Sequence, residues 1–101
     1  LKSVYEAAEL TAADYPNLVP EGTAIPTIAV EAVMAIYQWA PGMDRYDRSS
    51  KFVDALFSNL DAFKNPSGGY HQKWQAVDPA KGLSGWTRFQ PAQDWLNKNK
   101  I

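Results

Sequence analysis

A chain of 101 residues with a formal charge of −1 and no cysteine has room for one small hydrophobic core, as one domain or part of one. With no block of like charge it offers no long-range field to steer nucleic acid or an anionic membrane to its surface. Without thiols it has no disulfide, thiolate nucleophile or thiolate metal site, and either redox compartment suits it. No apolar run approaches a membrane span, the longest patch being IPTIAVEAVMAIY, and the first residues lack the basic-then-apolar pattern of a secretory signal. Four Trp, five Tyr and four Phe are a large aromatic load for this length, and each such ring seeks a partner surface.

In chain order, SVYEAAE at 3–9 reads as a strand, although its Ala and Glu suit a helix equally. TAADYPNLVPEGTAIP at 11–26 holds three prolines and a glycine and predicts an extended loop, since residues before proline avoid the helical region. TIAVEAVMAIY at 27–37 starts as a β-branched run and predicts a buried strand, with Ala, Met and Ile leaving a helix as the other reading. Pro41-Gly42 then breaks the chain, and Asp44 or Ser49 is available to cap the helix that follows.

That helix, over 50–64, is the clearest element. Phe52, Val53, Leu56, Phe57, Leu60 and Phe63 recur at helical steps, with Asp54, Ser58, Asn59 and Asp61 on other faces. NPSGG at 65–69 stops it, HQKWQAV at 71–77 adds a short helical turn, and DPAKGLSG at 78–85 is a loop. A last helix starts with Pro91 in its first turn and buries Ala92, Trp95 and Leu96 against helix 50–64. Trp86 and Phe89 are expected to seal its start.

The inventory for catalysis is thin. His71 is the sole histidine, flanked by Tyr70, Gln72 and Lys73 without a sequence-adjacent nucleophile or acid, so a packing or solvent-facing role outweighs a general base or metal ligand. Asp44, Asp47, Asp54 and Asp61 fall where helix-dipole stabilisation and solubility account for them. PSGG at 66–69 lacks the Lys-Ser/Thr of a phosphate loop and follows a helix, where a strand is required. No metal, no cofactor and no enzymatic activity are expected. Arg88, between Trp86 and Phe89, can stack on a ring, clamp a carboxylate bidentately or pair with an acid across the domain, and the structural role has the stronger prior.

The succession YEAAELTAADYPNL at 5–18, TIAVEAVMAIYQW at 27–39, RYDRSSKFVDALF at 45–57, HQKWQAV at 71–77 and GWTRFQPAQDWL at 85–96 resembles the C-terminal part of solute receptors of the TAXI subfamily of TRAP transporters. The resemblance spans nearly the whole chain in order. It implies an α/β fold, the C-terminal portion of a two-lobed type II periplasmic-binding-protein architecture, with two short strands plus about three helices. It further implies a periplasmic receptor fragment, not an enzyme, that captures a small, anionic solute such as a carboxylate for membrane permease subunits and is completed by the remainder of the parent receptor. Tyr5, Thr27 and Arg88 are the candidate ligand contacts, as polar groups near strand starts or a helix N-terminus. A rival reading is an independent aromatic-rich module for carbohydrate or peptide, which predicts exposed, coplanar Trp39, Trp74 or Trp86.

Overall fold

The computed structural model describes residues 4–99, which divide into two compact units, 4–36 and 37–99. Among the described residues the chain is a small mixed α/β protein with two antiparallel strands and three α-helices.

The first unit is a hairpin on a long connection. Strand β1 (Glu6–Leu10) pairs antiparallel with β2 (Ile25–Ala29), matching Glu6 to Ala29, Ala8 to Thr27 and Leu10 to Ile25. Because side chains alternate across a strand, Ala8, Leu10 and Thr27 share one half-buried face, while Ala7, Glu9, Pro26 and Ile28 point the other way and are exposed. The strand expected over 3–9 is found at Glu6–Leu10, starting three residues later and ending one later; Ser3 lies outside the described residues.

The second strand departs further from expectation. It begins at Ile25, accepts Pro26 and ends at Ala29, and residues 30–40 carry no helix, strand, turn or bend. Pairing stops there because β1 begins at Glu6, the partner of Ala29. The β-branched run of the sequence therefore outlasts the strand it pairs with.

The connection is not extended, as its prolines suggested, but folded into successive turns. The Asp14 carboxylate accepts from the Thr11 amide at 2.8 Å and its hydroxyl at 3.3 Å. The Thr11 carbonyl in turn accepts from the amides of Asp14 and Tyr15, and the Tyr15 carbonyl from those of Leu18 and Val19. Short side-chain acceptors of this kind compete with the open conformation the prolines favour. Val19 is buried at the end of this run, 4 % exposed.

The second unit holds the helices: α1 (Asp44–Ser58), α2 (Leu60–Lys64) and α3 (Gln90–Asn99). Single-turn 3₁₀ helices lie at Pro66–Gly68 and Gln72–Ala76, the latter over the helical turn expected there. The predicted 50–64 helix is two helices. Asn59 leaves helical geometry, and its amide and side-chain Nδ2 both bond to the Ala55 carbonyl, closing α1 before α2 begins.

The cap expectation is corrected as well. Met43 is the N-cap and supplies no side-chain cap bond. Asp44 is the first helical residue, its carboxylate 2.9 Å from Arg48 one turn on. Ser49 lies inside the helix, where its hydroxyl donates to the Arg45 carbonyl at 2.7 Å. The acids Asp44 and Asp47 in the first turn still complement the helix dipole.

Packing follows the helical stripe with one exception. Tyr46, Val53, Leu56, Phe57 and Phe63 are half-buried and Leu60 is buried, but Phe52 lies at the edge of the stripe and is exposed. On α3, Ala92 and Leu96 are buried and Trp95 half-buried. Pro91 occupies the second helical position, where its missing N–H costs no intrahelical bond. The α3 face packs on α1 as expected, and the aromatic pairs fix how: Tyr46 meets Phe89 and Phe57 meets Trp95, both edge to face, with centroids 5.3 and 5.2 Å apart. The two pairs fall in the same order along both segments, so α1 and α3 run in the same sense. Beyond them Phe63 stacks on Trp74 and tilts against Tyr70, each at 4.8 Å. Gly69 turns the chain between Phe63 and Tyr70, at φ 78°, a geometry glycine adopts without strain.

Candidate functional site

The three residues singled out from the sequence lie in different units: Tyr5 and Thr27 in the first, Arg88 in the second. Tyr5 precedes β1 and is exposed. Thr27 sits in β2 directly opposite Ala8. Together with Ala7, Ala8, Glu9 and Pro26 it lines a shallow, open depression on the hairpin. Of the lining side chains only Thr27 and Glu9 are polar, and they lie on opposite faces of the hairpin.

Arg88 is committed elsewhere. Its guanidinium donates to Gln93 Oε1 at 2.7 Å and to the carbonyls of Ala80 and Lys81 at 3.0 and 3.1 Å. The sequence suggested a ring or a carboxylate as partner; the partners are three neutral oxygens instead. The planar fork of arginine suits this task, since it can reach a side-chain amide and two successive carbonyls from one rigid group. The contact joins the first turn of α3 to the loop after Val77. The loop is tightened further by Asp78, whose carboxylate accepts from the Ala80 amide at 2.9 Å and whose carbonyl accepts from the Lys81 amide.

Trp86, carried on this loop, is 59 % exposed and does not seal the start of α3; Phe89 takes that place by packing on Tyr46. The other indoles are engaged. Trp39 is half-buried, with Tyr37 edge-on at 5.8 Å and the Arg45 guanidinium 4.8 Å above its ring. Trp74 is half-buried against Phe63, and Trp95 against Phe57. Trp86 alone of the four presents an open ring.

His71 is exposed, and its Nδ1 accepts from the Lys73 amide at 3.1 Å, so the imidazole caps the 3₁₀ turn that follows. In PSGG, Asn65 Oδ1 accepts from the Ser67 amide at 3.0 Å, making a side-chain-mimicked turn of local origin. Among the described residues no group of three His, Asp or Glu side chains is placed to hold a metal ion, and no helix is long and apolar enough to cross a membrane.

The Arg88 contact is what sequence reasoning missed. Its spacing to Gln93, five residues, is neither a helical nor a strand step, and its other partners are backbone oxygens with no residue signature. No protein-family model matches the chain, and neither the curated proteins nor the solved structures contain a significant match to it.

Proposed function

We propose that this chain is the C-terminal part of a periplasmic, two-lobed solute receptor that holds a small anionic solute, of carboxylate type, for a TRAP-type transporter. The observation that carries the reading is the uncovered apolar surface of the first unit. Leu18, Ile25 and Ile28 are all exposed in a unit whose sheet has only two strands. An isolated two-stranded hairpin is marginal in water, and a third strand or a packed helix is what ordinarily stabilises it. Large exposed apolar patches mark a surface that belongs against something else. In a two-lobed receptor that surface is completed by the preceding part of the polypeptide. The ordered succession of motifs from Tyr5 to Leu96 supports the same reading.

In this reading Tyr5 and Thr27 face the solute from the hairpin, and Arg88 acts through the loop it holds against α3. Binding needs no reactive group. A few placed polar atoms in a cleft give selectivity, and closing the lobes signals occupancy to the permease.

Titration calorimetry tests this with small mono- and dicarboxylates and neutral sugars as probes. The chain alone gives no saturable heat with any of them, because half the cleft is absent. Joined to the residues that precede it in its gene, it binds a carboxylate and ignores the sugars. Micromolar binding by the 101-residue chain alone overturns the proposal, and sugar binding in either form favours the aromatic module instead.

A further inference from the structure

Residues 30–36 stand apart from every other exposed stretch, whatever the whole protein binds. They carry no helix, strand, turn or bend, and they end where the first compact unit gives way to the second. Val30, Val33, Met34 and Ile36 along them are exposed, Met34 to 66 %. Ile25 and Ile28 are exposed but paired into the sheet, and others sit on closed or curved backbone. The Tyr15 carbonyl accepts from the amides of Leu18 and Val19, and the Trp86 amide donates to Leu83. Tyr70 lies in the bend after Gly69. Endopeptidases bind their substrates as an added strand, taking several consecutive residues in extended form and reading alternate side chains in pockets. Turns and helices must first open to fit; a straight apolar segment does not.

We propose that residues 30–36 are a proteolytic processing site for an endopeptidase with an apolar primary pocket, with the Met34–Ala35 bond as the preferred point of cleavage. Water adds to the Met34 carbonyl carbon and the C–N bond breaks. The new carboxylate stays on Met34, and the nitrogen leaves as the amino group of Ala35. Cleavage there separates the hairpin unit from the unit that holds the helices, Leu60, Ala92, Leu96 and all four ring pairs between residues 46 and 95. The C-terminal product keeps its own core and outlasts the parent chain.

Brief digestion of the full chain with subtilisin, a broad endopeptidase of apolar preference, followed by intact-mass analysis, reads the site directly. The earliest product pair splits within 30–36, the C-terminal piece persists after the intact chain is gone, and the Ala35→Pro chain loses this first cut. A first cut near residues 15–18, 70 or 82–87 overturns the proposal. So does a C-terminal piece that disappears as fast as it forms, or an Ala35→Pro chain cut at the same place and rate.

Discussion

Phe57 and Trp95 meet edge to face, with ring centroids 5.2 Å apart and planes at 80°. This geometry places the positive ring edge of one against the negative face of the other, and adds about 0.5–1.5 kcal/mol to the area the rings bury. It also joins the end of α1 to the middle of α3, two segments nearly forty positions apart in sequence by about one helix face each.

Replacing Trp95 with Ala removes both terms. A fully buried aromatic would cost about 3–5 kcal/mol; Trp95 is half-buried, so the expected loss is about 2–3 kcal/mol. Urea denaturation followed by circular dichroism measures it. In a double-mutant cycle with Phe57→Ala the coupling is about 1 kcal/mol. A coupling indistinguishable from zero means that the rings merely adjoin.

Arg88 gives a prediction about the loop. Arg88→Ala leaves the carbonyls of Ala80 and Lys81 and the amide of Gln93 without the guanidinium, at a cost of about 1–3 kcal/mol. Arg88→Lys recovers little, since one ammonium cannot span three oxygens on two segments. Hydrogen exchange localises the effect: the amides of Ala80 and Lys81, protected by Asp78, exchange faster in both variants. Unchanged exchange there means that the Asp78 turn stands without the arginine.

The ring pairs and the Arg88 contact show where the sequence was legible. The helical stripe from Val53 to Phe63 and the Ala92, Trp95, Leu96 face follow from spacing, because burial on one side of a helix imposes a period. Phe52, one turn before Leu56, fits the same period but lies at the edge of the stripe and stays exposed. The break at Asn59 has no proline or glycine to announce it; a side chain bonding back to Ala55 ends the helix from within. The strand expected over 27–37 ends at Ala29 because a β-branched run reports a preference, whereas strand length is set by a partner that begins at Glu6. For the candidate site, Thr27 was found next to a depression and Arg88 was found committed to its own loop. The first is a local property of a strand, and the second depends on backbone oxygens that no residue pattern encodes.

Two adjacent glycines answer different demands. A methyl added at Gly68 would lie 3.1 Å from the Ala62 carbonyl oxygen and 3.3 Å from the Tyr70 ring, so Gly68→Ala pushes Tyr70 away from Phe63. At Gly69 nothing lies within 4 Å, but φ is +78°. Gly69→Ala therefore costs about 1 kcal/mol through the backbone alone. Gly82→Ala, with open space and no positive φ, is neutral or slightly stabilising by about 0.4–1 kcal/mol. Thermal melts of the three variants rank them. The near-ultraviolet dichroism of the aromatic cluster changes in Gly68→Ala only, and a change in Gly69→Ala would show that the turn itself holds the rings in place.

The exposure of Trp86 predicts how the fluorescence divides. Three indoles are half-buried against Tyr37 and Arg45, Phe63, or Phe57, whereas Trp86 is open. Acrylamide therefore quenches one emitting class readily and the rest slowly, and Trp86→Phe removes the readily quenched class while leaving the melting temperature nearly unchanged, because an exposed ring contributes little burial. Trp39→Leu behaves in the opposite way, losing a slowly quenched emitter together with the cation–π contact to Arg45, worth about 0.5–1 kcal/mol at a partly exposed site. A carbohydrate platform built from several indoles requires that at least two of them quench readily. If Trp39 or Trp74 joins Trp86 in the fast class, the aromatic module gains the support that the ring contacts deny it. If Trp86 stands alone, the remaining indoles are holding the second unit together.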